Sequence, residues 1–497
     1  MTTTTTNTTT TTTATTITPT TTPIEDITAI VDRARAAFAA GATTPIEWRR
    51  STLTRLRRLV VAHEQRLLDA LATDLGKPPA EAWATEIGFV LSDIDHVLGH
   101  LDSWVRPRRV ATPLTLKPGT SHIHSQPVGV ACVIAPWNYP VQLLLVPVIA
   151  AISAGCAVIA KPSELSPATA DALGALIAEL GDPAVALVLG GVTETSELLT
   201  HPFGHLLYTG NGRVARIVMR AAAETLTPVT LELGGKSPAI VSRHADIAVA
   251  AKRIAWGKFV NAGQTCIAPD YILVEHSVHD ELVAGIAAAV VTFYGADPKA
   301  SADFGRIVND AHFHRLEKLL ANATVAAGGV VDADQRYIAP TVLIGVSLDD
   351  PVMNEEIFGP ILPVIAVDSI DAAIETVGQR DHPLALYVFS EQDDEVDTVV
   401  DRTMSGGVCV NGTLLHVGNP NLPFGGVGES GMGAYHGRAG FDTFSHARSV
   451  HTRSTRVDPS LLYPPYTKTK QKLIKRGLLL TDPRELPARL FSRLRRR

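Results

Sequence analysis

Beyond Ala160 the chain alternates short β-rich apolar runs with amphipathic helical text: helical at 171–180, strand-like at 185–189 and 205–209, helical again from Val214. Parallel strands need long crossover connections, so this order predicts βαβ units in a parallel sheet covered by helices. After Gly234 the alternation resumes, with AVAAKRIAWGKFVNAG read as helix, YILVEH as strand, and helices at 279–294 and 311–327. A chain of 497 residues exceeds what one core holds, so the second block predicts a second α/β domain.

One stretch, 141–160, has no charged residue in twenty and is long enough for a membrane span. Pro147, Ser153, Gly155 and the β-branched text at 157–159 argue instead for a buried helix, a glycine turn and a buried strand. Before it, residues 28–100 read as outer helices closing on Gly41 and Gly76, and residues 108–134 as an extended arm entering a core strand. Threonine fills 17 of the first 22 positions, a low-complexity tract expected to be disordered and lacking the basic and apolar regions of a secretory signal. Four cysteines without a CxxC pair exclude a disulfide scaffold and predict a reducing, cytoplasmic setting. From Arg448 onward 14 Lys/Arg stand against 3 Asp/Glu, so within a net charge of −6 the body is acidic and ill suited to nucleic acid. The pairs His122/His124 and His312/His314 lack a third-ligand pattern, and no metal is expected.

Several residues can carry chemistry. Cys266, in NAGQTCIAPDY, follows residues that let the backbone bend tightly and present a thiol. Because a free thiol ionises near pH 8.5, a nucleophilic role needs electropositive help from backbone N–H groups or a bound cationic cofactor; the plain alternative is a small buried hydrophobe. Glu232 interrupts the apolar run TPVTLELGGKSP and is either a general base with a raised pKa or a satisfied charge at a strand end. In LLYTGNGRVARIVMRAAAETL a strand ends at Thr209, Gly210 and Gly212 allow a tight turn, and a helix follows with Val214, Ile217, Val218, Ala221 and Ala222 on one face. Such a helix start suits a dinucleotide phosphate. A strict Rossmann spacing would make Glu232, 22 residues past Gly210, the ribose acceptor, while Lys161 and Glu164 in AVIAKPSE offer another. Asn138, between Trp137 and Tyr139 in APWNYP, is a turn former or an oxyanion donor; Glu356 and Phe358, in EEIFGP, precede a Gly-Pro turn.

Together and in order, APWNYP, AVIAKPSE, YTGNGRV, TLELGGKSP, NAGQTCIAPDY, EEIFGP and LPFGGVGESGMG make residues 24–455 resemble the aldehyde dehydrogenase superfamily. MGAYHG, TFSH and YPPYTKTKQKL look like its class 3 branch of fatty, aromatic and coniferyl-type enzymes. The resemblance implies a bilobal α/β fold. A Rossmann-like NAD(P)-binding domain would span 24–111 and 127–234 and a catalytic domain 235–445. Residues 112–126 and 446–455 would form a β oligomerisation arm of a homodimer, flanked by the Thr-rich tract at 1–23 and a basic tail at 456–497. It further implies that Cys266 attacks an aldehyde, Asn138 stabilises the thiohemiacetal oxyanion, hydride passes to the nicotinamide, and Glu232 activates the water that releases a free carboxylic acid. Lys161 and Glu164 would hold the adenosine ribose, and Gly210 and Asn211 would lie by the pyrophosphate. Glu356 and Phe358 would position the nicotinamide ribose and ring, with Trp137, Val214 and Gly234 along the cofactor. A glutamate at the ribose favours NAD, whereas Lys161 attracts a 2′-phosphate, so use of both with NAD preferred is expected. Ala215 stands where the family's phosphate turn usually ends in a second glycine, implying looser helix packing.

The substrate expected is a medium- or long-chain aliphatic or an aromatic aldehyde. Rival readings are a cofactor-independent thiol esterase, for which KPSE and EEIFGP have no use, and a non-catalytic binder, against which Cys266, Glu232 and Asn138 stand together. A CoA-acylating enzyme is opposed by Glu232. The ending LPARLFSRLRRR is either a solvated tail or an amphipathic segment resting weakly on anionic lipid, the former favoured by Pro483 and Pro487.

Overall fold

The uncharged run at 141–160 becomes the helix Gln142–Ala154, every residue of it buried, followed by Gly155 at φ 92° and the buried strand Ala157–Lys161. A helix apolar on all sides is either a core helix or a membrane span, and its complete burial makes this one a core helix. In this computed structural model, which describes residues 20–478, it packs between the Gly88–Val105 helix, the first sheet and the Gly437–Thr443 helix. The Thr tract up to residue 19 and the end from residue 479, with Pro483 and Pro487, lie outside the described residues.

Six strands form the first sheet, in the order Gly431–Met432, Val229–Glu232, His205–Thr209, Val130–Ile134, Ala157–Lys161, Val185–Leu187. All pairs are parallel except the first. The chain steps outward from Val130–Ile134 to Val185–Leu187 and then returns to the other side of Val130–Ile134 at His205–Thr209. This reversal opens a crevice at the carboxyl ends of the strands, where open α/β sheets bind ligands. The seven-stranded second sheet is ordered Thr324–Ala327, Thr341–Ile344, Ile361–Val367, Tyr271–Glu275, Pro238–Val241, Ala385–Phe389, Gly407–Val410, with one antiparallel pair at its first edge. The long strands Gly119–Pro127 and Ser445–Arg453 pair antiparallel along their whole length and form the projecting arm, with Arg108–Val110 on its other edge.

Four local expectations need correction. Helical text at 311–327 splits into the helix Asp310–Leu320 and the strand Thr324–Ala327, because Asn322 at φ 68° turns the chain and the β-branched residues that follow pair with Thr341–Ile344. On the helix Gly212–Glu224 the buried face is Ala215, Val218 and Ala222, while Ile217 is 48% exposed. Ala215 is itself buried at that contact, so the missing glycine leaves no open gap. The boundary read at 445 falls past the point where the chain rejoins the first sheet, since Gly431 pairs with Glu232. Finally, the stretch read wholly as tail carries the basic helix Lys468–Leu478.

Candidate active site

The carboxyl ends of the first sheet carry most of the residues singled out from sequence. Trp137 and Asn138 follow Val130–Ile134, Lys161 closes Ala157–Lys161 and Glu164 follows it, Gly210 and Asn211 follow His205–Thr209, and Glu232 closes Val229–Glu232 with Gly234 after it. Asn211 caps the helix Gly212–Glu224, its side chain accepting from the Val214 N–H at 3.0 Å, so Asn211 and Val214 act as a helix start. Lys161 Nζ donates to Glu164 at 2.9 Å, the lysine buried and the glutamate open to solvent. Thr209 Oγ1 and both Glu232 carboxylate oxygens are buried without a hydrogen-bond partner among the described residues. Native interiors rarely leave such groups unpaired, so this crevice is built to receive polar groups, as a nicotinamide dinucleotide would supply.

Cys266 is presented by a strained loop. The helix Ile247–Phe259 ends, and Asn261, Ala262 and Gly263 follow in succession at φ 53°, 51° and 74°. Left-handed conformations of non-glycine residues cost about 1–3 kcal/mol each and persist only when their surroundings hold them. Here the Asn261 N–H donates to Glu81 at 2.9 Å, and Asn261 Nδ2 donates to the carbonyls of Asn138 at 2.9 Å and Gln264 at 3.1 Å. Gln264 Nε2 donates to the carbonyls of Asn261 and Arg306, and Gln264 Oε1 accepts from the Val308 N–H. Thr265 and Tyr139 share a hydrogen bond of 2.7 Å, and Tyr387 donates to the Ile267 carbonyl. A Cβ at Gly263 would overlap the Gly359 carbonyl, which ties this loop to EEIFGP.

Asn138 Nδ2 donates to the Gln264 carbonyl at 3.0 Å. An amide nitrogen has two hydrogens, so one remains for an oxyanion beside Cys266. Cys266 keeps part of its surface open while packed atoms desolvate its thiol; this, with the nearby charges of Glu356 and Glu232, pushes its pKa up, against the pull of the Cys266 and Ile267 backbone N–H groups. Burial without a partner holds the Glu232 carboxyl well above the usual carboxylate range. Glu232 and the Lys161–Glu164 pair stand at the ends of different strands of the first sheet, and of these Glu232 is the one that bears on the Cys266 thiol.

Glu356 is pushed up to about 8, first by desolvation and then by Asp270, while the Gly235 N–H and Lys236 and Lys258 oppose the rise. A Cβ at Gly234 would overlap the Glu356 carboxylate, so Gly234 makes room for it. Asp270 accepts from the Ile357 N–H at 3.0 Å and from Lys236 at 2.5 Å, and Arg315 donates to the Ile357 carbonyl at 2.5 Å, fixing the EEIFGP loop. Phe358 sits at φ 51°, its ring centroid 5.3 Å from that of Trp137. Tyr435 and Tyr387, whose hydroxyls feel the Cys266 charge, join His416, Phe424 and His436 in an aromatic cluster.

Sequence reasoning missed the ion pair behind Asn138. Lys77 Nζ donates to Glu86 at 2.6 Å and to the Asn138 carbonyl at 3.1 Å, both side chains being fully buried. The other Glu86 oxygen accepts from the N–H groups of Val141 and Gln142, at the start of the buried helix. Nothing in GKPP or ATEIG separates these residues from surface charges; only burial does. Among the described residues no cluster of potential metal ligands occurs.

Comparison with known proteins places these features in context. The Aldehyde dehydrogenase family pattern matches residues 2–450. The chain is 47% identical over 445 residues to the mouse (Mus musculus) "Aldehyde dehydrogenase, dimeric NADP-preferring", covering 89% of this chain and 98% of that protein. It is equally 47% identical over 445 residues to the Staphylococcus aureus "4,4'-diaponeurosporen-aldehyde dehydrogenase", covering 89% and 97%. The solved structure "Substrate bound state of Staphylococcus Aureus AldH" superimposes with a TM-score of 0.89 at 46% identity, over 91% of this chain and 99% of that one. A Mycobacterium tuberculosis aldehyde dehydrogenase complexed with NAD+ superimposes with a TM-score of 0.78 at 30% identity, over 86% and 90%.

Two predictions follow from the buried charges. Glu86→Ala strands the Lys77 ammonium and two N–H groups, and is expected to lower stability by about 3–5 kcal/mol in chemical denaturation, more than the paired change Lys77→Met with Glu86→Gln. A carboxyl whose folded pKa exceeds its unfolded value keeps a proton that the unfolded chain has lost, so stability falls as pH rises between the two. Relative to wild type, Glu356→Gln is therefore expected to gain stability progressively from about pH 4.5 to about 8, read from melting temperatures across that range.

Proposed function

The chain belongs to the aldehyde dehydrogenase family, and on that premise we propose how its residues carry out the NAD(P)-dependent oxidation of an aldehyde to a free carboxylic acid. One observation carries the reading: a thiol on a loop pinned from both sides by hydrogen bonds, together with a buried carboxylate, Glu232, that has no hydrogen-bond partner among the described residues.

Cys266 Sγ attacks the aldehyde carbon, and the resulting thiohemiacetal oxyanion takes hydrogen bonds from Asn138 Nδ2 and the Cys266 N–H. When bound, a nicotinamide would supply the electron acceptor for loss of hydride from this adduct, leaving a thioester on Cys266, and a positive charge that would favour the thiolate. Glu232 then removes a proton from water, whose oxygen adds to the thioester carbonyl; the C–S bond breaks, the acid leaves and Cys266 is restored. A general base with a raised pKa suits this proton transfer. Lys161 and Glu164 orient the adenosine ribose, Gly210, Asn211 and Val214 offer a helix start to the pyrophosphate, and Glu356 with Phe358 and Trp137 orients the nicotinamide end. Glu164, a carboxylate at the ribose, supports preference for NAD over NADP.

The aromatic cluster near Cys266 supports an apolar substrate, a medium- or long-chain aliphatic or an aromatic aldehyde. The mouse relative is named dimeric, which supports a homodimer, and the Staphylococcus aureus relative is named for 4,4'-diaponeurosporen-aldehyde. The exposed edge of Ser445–Arg453 is the surface we assign to a second copy. Four unpaired cysteines support a cytoplasmic setting. The exposed lysines of Lys468–Leu478 support a solvated tail whose affinity for anionic lipid is weak and purely electrostatic.

Mixing the protein with a panel of aliphatic and aromatic aldehydes in NAD or NADP is expected to raise the absorbance of reduced nicotinamide, faster with NAD; silence across the panel with nucleotide bound would sink the reading. Cys266→Ala abolishes reduction and any esterase activity. Glu232→Gln leaves a pre-steady-state burst of reduced cofactor followed by slow turnover, and loses the rise of deacylation with pH that a carboxyl of raised pKa imposes; equal loss of burst and turnover would point away from a base. Light scattering at twice the chain mass checks the dimer, and pelleting with anionic vesicles only at low salt checks the tail.

A further inference from the structure

The segment ahead of the first helix, Ile24–Ala39, is the sequence feature for which the catalytic reading has no use. Thr22 is clipped to the loop after Val185–Leu187 by two hydrogen bonds: its N–H donates to the Leu189 carbonyl at 2.9 Å, and its Oγ1 accepts from the Leu189 N–H at 2.9 Å. This clip holds Thr20 and Thr21 as one wall of a cavity of about 180 Å³, whose other walls include Ser163, Glu164, Asp171 and Gly190. Pockets for whole drug-sized ligands run to about 300–1,000 Å³, so this one has room for part of a dinucleotide only.

The cavity borders Glu164, the carboxylate assigned to the ribose in the proposed function, so a substituent on a ribose held there would lie beside it. Its lining surface is almost wholly apolar and includes no basic residue among the described residues, and Lys161 nearby is already engaged by Glu164. A phosphate entering there would lose its water against apolar surface with no cation to replace it, a costly burial for an anion. We propose that Thr20–Thr22 is a strap over the adenosine-ribose end of the cofactor site, tightening the hold on the unphosphorylated ribose and selecting against a 2′-phosphate. This rests on the cofactor reading above.

Calorimetric titration with ADP-ribose and with its 2′-phosphate, without aldehyde, tests it on the full chain, on a chain lacking residues 2–21, and on Thr22→Val, which removes the acceptor of the Leu189 N–H. Both variants are expected to bind ADP-ribose about threefold or more weakly while the 2′-phosphorylated ligand is unchanged or tighter, narrowing the ratio of the two constants. KM for NAD should move with the dissociation constant and kcat should not. An unchanged ratio in both variants, or equal weakening of both ligands, overturns the strap. Failure of the full chain to bind either ligand overturns the cofactor reading instead, which separates the two outcomes.

Discussion

Three consecutive left-handed residues ahead of Cys266 set the constraint on which the site depends. A backbone there relaxes unless it is held, and Gln264 holds it with three of the four hydrogen-bonding positions of its amide: its nitrogen serves the carbonyls of Asn261 and Arg306, its oxygen the N–H of Val308. Its own main-chain carbonyl takes Asn138 and Asn261. Asn138 and the Cys266 loop, the proposed oxyanion donor and nucleophile, are therefore parts of one network, and behind it the Lys77–Glu86 pair anchors both the Asn138 carbonyl and the start of the buried helix. Such preorganisation is what lets a few dipoles act strongly when charge develops.

The same interior leaves charge deliberately uncompensated where the chemistry runs. Lys77 and Glu86 neutralise each other, but the Glu232 oxygens and the Lys258 Nζ have no hydrogen-bond partner among the described residues. Lys258 is 4.0 Å from Asp270 and is pulled down to about 8 by desolvation, while Glu356 rises to about 8. Groups whose protonation states lie close to neutrality can exchange protons at little energetic expense, a property structural ion pairs lack. Glu232 ends a strand of the first sheet, whereas Lys258 and Asp270 flank the Cys266 loop ahead of the strand Tyr271–Glu275 of the second.

Much of this was legible along the chain because it is local. The buried helix, glycine turn and strand at 141–160 follow from an uncharged run punctuated by Gly155, and the alternation beyond it foretold a parallel sheet. The motif residues, spread from Trp137 to Phe358, could be found because each interrupts its surroundings: a carboxylate in an apolar strand, a cysteine after a flexible turn, an amide between prolines. What failed was equally physical. Ile217 looked like part of an apolar face, but a helix of small residues lies close to its sheet along Ala215, Val218 and Ala222 and leaves the larger side chain outside. The 311–327 text kept a helical look past Asn322 because a single left-handed turn has little sequence signature outside glycine.

The amino-acid sequence by itself determined the α/β class, the two alternating blocks, the identity of Cys266, Glu232 and Asn138 as candidates, and their likeness to one enzyme family, since periodicity and short motifs act over a few residues. Only the tertiary structure decided which charges are buried and paired, that Gly431 returns to close the first sheet beside Glu232, and that Thr22 clips to Leu189, 167 residues away. Those outcomes depend on desolvation and on contacts between distant segments, and neither quantity exists until the chain has packed.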